Sequence, residues 1–321
     1  MIGIGFAGCG SIAEEHCRAI REVDGIEVRG CYDVDAKRGA VFALQERCVF
    51  HHTYADLLND RAIDAVYICT HHDSHRDLAV AACHAGKSVM MEKPLALTEA
   101  DCRVIVKAVE ESCVTFMTAF KLRYYPMVAR ARQFAPRPLI AMAQVMDNRW
   151  PDDFWAQDPV RGGGNVLSQG VHVMDLLCHL FDDDPVSVHA EGGVITHPGG
   201  SLVDAMVATV RFTRGGIASV VVSDAGTTPF VSKFSCQFAD GVRSVHLHER
   251  LRAGVFYDGA NQQNLIDDRE LGMILENREF VEALTQGRAP LTGVRDGLRA
   301  TLMVLAAFRS IETGTPQLVL I

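Results

Sequence analysis

The chain has 321 residues, of which 48% are hydrophobic and 22% charged, and its formal net charge at pH 7 is −9. The length predicts about two domains, and the composition is that of an ordinary globular protein. This acidic balance excludes a general nucleic-acid-binding or anionic-membrane-binding protein, because both need clustered Lys and Arg. Binding of a small anionic ligand in one pocket is still compatible with this charge.

No segment reaches the roughly 20 apolar residues of a membrane-spanning helix. Residues 1–6 lack a basic flank and lead straight into a glycine turn, so they predict a strand and not a signal peptide. The ten cysteines include no C-x-x-C pair, and several lie inside apolar patterns, where Cys behaves as a small hydrophobic residue. We therefore expect a reduced, cytoplasmic protein.

The first 120 residues alternate short apolar runs with helical patterns. The runs that predict strands are 2–7, 26–32, 65–69, 88–91 and 115–119. The stretches that predict helices are 12–23, 35–46, 76–85 and 99–110. Alternation of this kind is typical of βαβ units, so we predict a parallel sheet with right-handed crossovers.

After Arg149 the pattern changes to longer strand-like runs. They cover 186–194, 205–212, 217–223 and 231–238, and a first run of the same kind, 139–146, precedes Arg149. The turn Arg214-Gly215-Gly216 joins two of them, which predicts a mostly antiparallel sheet. Late helical patterns follow at 270–286 and 294–312. No flexible linker is visible, so we expect two tightly joined halves.

A glycine fingerprint follows the first predicted strand. Gly8-Cys9-Gly10-Ser11-Ile12-Ala13 matches G-x-G-x-x-A and opens a helix. Gly8 permits the tight turn, Gly10 lets the backbone approach a pyrophosphate, and Ala13 lets helix and strand pack closely. The helix N-terminus at Ser11 and Ile12 supplies N–H groups to the phosphates. The strand–turn–helix context therefore predicts a dinucleotide site.

Asp33 ends the second predicted strand, at the distance expected of an acid that binds the ribose hydroxyls. A carboxylate there repels the 2′-phosphate of NADP, so we predict NAD as the cofactor. Lys37 and Arg38 lie one turn later and soften this preference, which leaves NADP open. The alternative interpretation of Asp33 is a surface residue that caps the next helix.

Glu92-Lys93-Pro94 follows the apolar run 88–91, at the carboxyl edge of the predicted parallel sheet, where such folds bind ligands. Pro94 ends the strand and fixes the turn. Lys93 would then reach the nicotinamide and a substrate hydroxyl, where its ammonium stabilises developing alkoxide charge. On spacing alone, an exposed loop lysine is the better interpretation.

Residues 162–164 are three glycines that open an amphipathic helix over 166–181. Ser168, His172, Asp175 and His179 share one face of it. A polar stripe on a largely apolar helix needs water, a ligand or another polar group, and His172 titrates near neutrality, as a general acid/base must. The alternative is a core histidine satisfied by the backbone.

Taken together, these residues resemble the glucose–fructose oxidoreductase/inositol dehydrogenase/MocA family. The resemblance covers nearly the whole chain. It rests on G-x-G-x-x-A at 8–13, Asp33, T-x-x-x-x-H at 70–75, E-K-P at 92–94, G-x-H-x-x-D at 170–175, and the helix and turn around Asp296-Gly297-Leu298 and Gly314. The pairing of E-K-P with a downstream G-x-H-x-x-D is the specific part.

The resemblance implies an α/β fold in two domains. Residues 1–120 would form a Rossmann domain with a doubly wound parallel sheet that binds NAD(P). Residues 121–321 would form an α/β domain with an open, mostly antiparallel sheet for substrate binding and oligomerisation, with a C-terminal helix returning to the first domain. A homodimer or homotetramer is the family expectation.

The resemblance also implies residue roles. Lys93 would be the catalytic-site lysine and His172 the proton acceptor from the substrate hydroxyl, while Asp175 would bind substrate or orient the site. Thr70, His75 and Glu92 would line the cofactor edge.

At three places this sequence differs from the family pattern. Ser168 stands where many members have Asp, so His172 lacks a carboxylate that would stabilise an imidazolium. His71 and His72 replace the frequent Pro-Asn after Thr70. Lys121 stands where Asn is common and adds a cation, which makes an acidic or phosphorylated substrate more plausible.

The histidine-rich stretches 51–52 and 71–75, and the pair of Asp175 and His179, fit no closed zinc pattern, so we predict no metal. Trp155 precedes the three glycines and either shapes the substrate pocket or merely packs.

We predict an oxidoreductase that transfers a hydride between a secondary hydroxyl of a sugar, inositol or sugar derivative and NAD(P). Two alternatives stay open. The first is a redox-neutral, NAD-dependent glycosidase or epimerase of the same family, and the second is a non-catalytic dinucleotide-binding sensor or regulator. No residue identifies a particular sugar.

Overall fold

In the computed structural model, which describes residues 1–227, 232–267 and 269–321, the chain forms two compact units. The first contains Met1–Lys121 and Met273–Leu298, and the second contains Leu122–Gly272 and Arg299–Ile321. The prediction divides the chain after residue 120 and returns a C-terminal helix to the first domain. In the structure the division follows residue 121, and the returning segment is the next-to-last helix with only the first turn of the last one.

The first unit is built on a parallel sheet. Its strands are β1 (Ile2–Ala7), β2 (Ile26–Tyr32), β3 (Val49–Phe50), β4 (Ala65–Ile68), β5 (Ser88–Met91) and β6 (Phe116–Thr118). The helices between them are α1 (Ser11–Ile20), α2 (Ala36–Glu46), α3 (Tyr54–Asn59), α4 (His75–His84) and α5 (Glu99–Ser112). The strands pair in the order β3-β2-β1-β4-β5-β6, which is the Rossmann order. The order reverses between β1 and β4, so their carboxyl ends border the crevice where this fold binds ligands.

Local sequence explains these elements. β4 is buried along its whole length, as expected of a strand that is covered on both faces of a parallel sheet. Asp35 caps α2 by accepting the N–H groups of Lys37 and Arg38, and Thr98 caps α5. The strands and helices predicted in this half are confirmed, with ends shifted by a few residues. The short elements β3 and α3 were not predicted, because neither is long enough to show a periodic pattern.

The second unit is built on a larger, mixed sheet. Its strands are β7 (Ile140–Asn148), β8 (Pro185–Gly193), β9 (Ala205–Phe212), β10 (Ile217–Gly226), β11 (Phe234–Ala239), β12 (Arg243–His248), β13 (Ala253–Asp258), β14 (Asn261–Ile266) and β15 (Gln317–Leu318). The remaining α-helices of the described chain are α6 (Pro126–Phe134), α7 (Gly164–Phe181), α8 (Gly272–Gln286) and α9 (Val294–Thr313), of which α8 from Met273 onward and the first turn of α9 belong to the first unit. The strand order is β14-β13-β12-β11-β7-β10-β9-β8-β15, and every pair except β7 with β10 is antiparallel.

The predicted turn at Arg214-Gly215-Gly216 joins β9 to β10 as an antiparallel hairpin, with Gly215 at φ 89°. Val231, where the prediction begins its last strand, lies outside the described residues, and the described part of that stretch contains β11 from Phe234 onward. The prediction missed α6, β12, β13, β14 and β15. β14 is polar and largely exposed, so it lacks the apolar alternation on which strand prediction depends.

The large sheet has one buried face and one open face. Helix α7 packs on β7 and β10 and covers the buried face, where Ala141 and Val145 lie. On the other face Ile140 and Met142 are 53% and 56% exposed. Val207 and Ile217, on strands in the same part of the sheet, are exposed as well. In the part of the chain that is described, no helix is both long and apolar enough to cross a bilayer.

Candidate active site

The glycine fingerprint lies at the carboxyl end of β1. Gly8 has φ 88°, and a Cβ at this position would lie 2.4 Å from the carbonyl oxygen of Cys69. Gly10 has an extended backbone, and a Cβ there would meet nothing within 4 Å. Ser11 and Ile12 begin α1, whose N-terminus has no side-chain cap among the described residues. Open space in front of uncapped N–H groups fits the pyrophosphate of a dinucleotide.

Asp33 stands directly after β2, beside this loop. Its carboxylate accepts the N–H of Cys9 at 2.8 Å with one oxygen and the N–H of Asp35 at 2.8 Å with the other. The side chain is therefore fixed, and each oxygen keeps a lone pair that suits a ribose hydroxyl. Arg38 lies 3.9 Å from Asp33 and is half exposed, so it offsets part of the negative charge that disfavours a 2′-phosphate.

Gly10→Ser tests the phosphate-binding role of the loop. We expect NAD to bind at least about 10-fold more weakly, a loss of about 1.4 kcal/mol, because the new side chain occupies the pyrophosphate position. The melting temperature should not fall, because serine is a good N-cap residue for α1. Titration calorimetry with NAD measures the first effect. Gly193→Ser, at another open glycine in β8, should change neither quantity.

Glu92, Lys93 and Pro94 form a corner at the carboxyl end of β5. The Lys93 N–H donates to Glu92 Oε2 at 3.2 Å, and the Lys93–Pro94 peptide bond is cis. His75, at the start of α4, has its Nδ1 2.9 Å from the carbonyl oxygen of Pro94. A carbonyl can only accept, so Nδ1 carries the proton. Burial lowers the pKa of His75, and this neutral imidazole braces the turn that presents Lys93.

Thr70, at the end of β4, accepts a hydrogen bond from the Ser74 hydroxyl at 2.7 Å. Thr70 and His75 both lie in the segment that follows β4. In the sheet β4 is the neighbour of β1, the strand that leads into the glycine loop. That Thr70 and His75 line the cofactor edge stays a prediction.

Glu92 is a buried carboxylate beside Lys93. Burial alone would raise the pKa of Glu92, but a hydrogen bond from His16 and the positive charges of Lys93 and Lys121 lower it to about 2. The His16 Nε2 atom lies 3.2 Å from Glu92 Oε1. Glu92 is therefore ionised at neutral pH, and Lys121 contributes a second cation to this corner.

Helix α7 carries the candidate residues of the second unit. Ser168, His172 and Asp175 are all buried, with 4%, 4% and 1% of their surface exposed. Gln169 donates weakly to the Ser168 hydroxyl at 3.5 Å, and the His172 ring stands edge-on to Phe234 with centroids 5.9 Å apart. The helix begins within the triple glycine, where Gly163 and Gly164 both have the positive φ that glycine adopts readily.

Asp175 is held by a buried arginine. Arg123 Nε donates to one carboxylate oxygen of Asp175 at 2.7 Å and Nη2 to the other at 2.5 Å. A two-pronged pair of this kind is strong and directional. The pair holds the Asp175 carboxylate in place, which suits the orienting role expected of it, and its contact with substrate stays a prediction. Arg123 thereby ties the start of the second unit to the middle of α7.

Arg123→Ala should destabilise the second unit by about 3–5 kcal/mol, because it leaves the Asp175 charge buried without its partner. Urea unfolding measures the loss. Arg132→Ala is a matched control, since Arg132 pairs with Asp182 at the exposed end of the same helix, with side chains 39% and 67% exposed. We expect about 1 kcal/mol or less from the control. Equal losses in the two variants would contradict the assignment.

Trp155 belongs to an aromatic cluster in the segment that precedes α7 in the chain. Its ring lies 5.6 Å from Phe154, which stands edge-on to Trp150 at 5.2 Å. The Trp150 indole N–H donates to Asp147 at 3.1 Å. Trp155 itself is half buried, so it packs against neighbours and keeps an accessible face that suits a pocket wall.

Sequence reasoning missed three polar residues of these sites. His16 lies on the buried face of α1 with Ala13 and Cys17, so a histidine on an apolar helical stripe was the available signal. Arg123 gave no signal, because its partner is far along the chain. Asn165 is fully buried, and its amide has no hydrogen-bond partner among the described residues, which makes it a further candidate for ligand contact.

Comparison with known proteins identifies the family. Residues 2–120 match the oxidoreductase family with an NAD-binding Rossmann fold, and residues 137–239 match the GFO/IDH/MocA C-terminal domain. The chain is 32% identical over 238 residues to a 1,5-anhydro-D-fructose reductase of Ensifer adhaerens, across 70% of each protein. It is 28% identical to an inositol 2-dehydrogenase of Acidothermus cellulolyticus, across 98% of this chain and 94% of the relative.

A solved structure has the same fold. The complex of a levoglucosan dehydrogenase with NADH and levoglucosan matches 99% of this chain and 99% of its own, with TM-score 0.92 and 18% identity. The fold and the family matches confirm the resemblance drawn from the sequence motifs. The chain belongs to the GFO/IDH/MocA family and is an NAD-dependent oxidoreductase with an N-terminal Rossmann domain.

Proposed function

We propose that this protein is a dehydrogenase that transfers a hydride from a secondary hydroxyl of a sugar, inositol or sugar derivative to NAD. One observation carries the proposal. Lys93 stands beside an ionised Glu92 at the carboxyl end of β5, in the same parallel sheet whose β1 leads into the glycine loop. The names of the relatives, which act on an anhydro-sugar and on inositol, support the substrate class.

In this proposal NAD, when bound, supplies the hydride acceptor. The Lys93 ammonium donates a hydrogen bond to the substrate oxygen and stabilises the negative charge that develops there. His172 accepts the hydroxyl proton. Asp175 and Arg123 hold the middle of α7, the part of the helix from which His172 projects.

This chain has Ser168 at a position where many family members carry an aspartate. A serine hydroxyl donates or accepts a hydrogen bond but supplies no charge to stabilise an imidazolium. We therefore propose that His172 works with less electrostatic help. Lys121 adds positive charge near Glu92, which favours an acidic or phosphorylated sugar among the possible substrates.

A substrate panel tests the proposal. The purified protein with NAD is offered inositols, aldoses, deoxy- and amino-sugars, and uronates, and NADH absorbance is followed. We expect one class to give steady NADH formation. Product formation without net NADH would instead indicate the redox-neutral glycosidase or epimerase. Tight NAD binding with no product from any compound would indicate the dinucleotide-binding sensor.

We also propose a homodimer or homotetramer that buries the open face of the large sheet, because apolar side chains such as Met142 remain exposed there. Met142→Glu should reduce the sedimentation coefficient to that of a monomer. Leu44→Glu is the matched control, because Leu44 is 82% exposed on α2 of the first unit. A wild-type protein that sediments as a monomer at micromolar concentration would rule out this assembly.

A cytoplasmic location is proposed on the cysteines. All ten are free thiols, and most are buried. Proteins in oxidising compartments usually pair their cysteines, whereas cytoplasmic proteins keep them reduced. Fractionation of the producing cells tests this directly.

A further inference from the structure

A network of buried polar groups connects α1 to the backbone of Lys93 inside the first unit. His16 on α1 is fully buried, and its Nε2 lies 3.2 Å from Oε1 of Glu92. The other oxygen of Glu92 receives the backbone N–H of Lys93 at 3.2 Å. His16 thus joins the helix that begins at the glycine loop to the corner that carries Lys93.

Asn277 fixes the direction of the hydrogen bond from His16. Its amide nitrogen donates to the Met273 carbonyl oxygen at 2.8 Å and lies 3.1 Å from His16 Nδ1. Its amide oxygen accepts from the Tyr67 hydroxyl at 2.9 Å and lies farther from Nδ1, at 3.4 Å. Nδ1 is therefore the acceptor, so the proton of a neutral His16 is on Nε2 and is donated to Glu92.

This donor matters because Glu92 is buried. Burial alone would raise the pKa of the Glu92 carboxyl, and the hydrogen bond from His16 is the largest influence that opposes it, followed by the charge of Lys93. The titratable and charged groups around the corner are Lys93, Lys121, His75 and Cys69, with Glu276 beside Tyr67 and Cys69. Removing the imidazole would leave burial opposed mainly by the two lysines.

We propose that His16 is a positioning residue for the reaction: its Nε2–H keeps Glu92 ionised, and the ionised carboxylate holds the Lys93 ammonium at the substrate oxygen. This inference rests on the proposed function of Lys93. His16 touches neither substrate nor cofactor in this role. It acts through Glu92, and it lies on α1, the helix whose N-terminus is the proposed phosphate site.

The first test observes Glu92 itself and needs no substrate. Protein labelled with 13C at the glutamate side-chain carboxyl is titrated by NMR, and the Glu92 signal is assigned with Glu92→Gln. In the wild type we expect the signal to stay that of a carboxylate down to about pH 4. In His16→Leu it should titrate at clearly higher pH. His84→Leu, an exposed histidine at the end of α4, should leave the Glu92 titration unchanged.

The second test is the pH profile of kcat with the panel sugar that gives the highest rate. His16→Leu should show a new acid limb, with a loss of about 10-fold for each pH unit below the Glu92 pKa, and near wild-type kcat at alkaline pH. His16→Gln keeps a donor and should restore the wild-type profile. A merely structural role would lower kcat equally at every pH.

Glu92→Gln keeps the inference testable if His16→Leu fails to fold. The amide is isosteric and uncharged, so kcat of Glu92→Gln should be low at all pH values. The double variant His16→Gln/Glu92→Gln should have a kcat no lower than that of Glu92→Gln alone. Wild-type kcat in Glu92→Gln, or identical Glu92 titrations with and without His16, would overturn the inference. Full activity of Lys93→Ala would instead overturn the proposed function.

Discussion

Replacing His172 by alanine is expected to lower kcat by about 10²–10⁴-fold, the usual contribution of a positioned general base. NAD affinity should stay within about twofold, because the proposed role of His172 concerns the substrate proton and not the dinucleotide. Steady-state NADH formation with the best panel sugar measures the first quantity, and calorimetric titration with NAD measures the second.

The control for this result is His179→Ala. His179 lies on the same helix, two turns beyond His172, and no role in proton transfer is assigned to it. We expect its kcat to stay within about threefold of the wild type. Equal kcat losses in the two variants would indicate a general effect on α7, and full activity of His172→Ala would remove the proton-acceptor assignment.

Lys93→Ala is the second large effect. We expect kcat/KM to fall by about 10²–10³-fold, because one preorganised donor to the reacting oxygen is lost. Lys93→Arg keeps the charge on a larger, planar group, so it should recover part of kcat but not all of it. Rates are measured under the conditions used for the His172 variants.

Lys107→Ala serves as the matched lysine control, since Lys107 is exposed on α5, where its side chain is 75% accessible. It should leave kcat/KM unchanged. A Lys93→Ala enzyme that loses only NAD binding would place Lys93 with the cofactor-binding residues and exclude it from catalysis.

Local sequence predicts the elements that have a strong pattern of their own. β1, β2 and β9 were predicted with their observed bounds, because each contains β-branched and aromatic residues and ends at a turn. The hairpin at Gly215 was predicted for the same reason. β14 was missed because it is polar and largely exposed, so its pairing with β13, and not its own residues, makes it a strand.

Candidate chemistry was visible where a motif places it on one element. Lys93 and His172 stand in such motifs, and their predicted roles await the variants above. The partners that fix these sites come from far along the chain: Arg123 is 52 residues from Asp175, and His16 is 76 residues from Glu92. Such pairs depend on tertiary packing, which periodicity does not reveal.

In the proposed reaction a hydride leaves a carbinol carbon of a sugar or polyol for NAD. The most direct measurement uses the best panel substrate with deuterium on that carbon and analyses the reduced cofactor by mass spectrometry. We predict that the NADH formed carries the deuterium, and that its formation is lost in His172→Ala. Product that forms while the cofactor stays unlabelled and the deuterium exchanges with water would contradict the account.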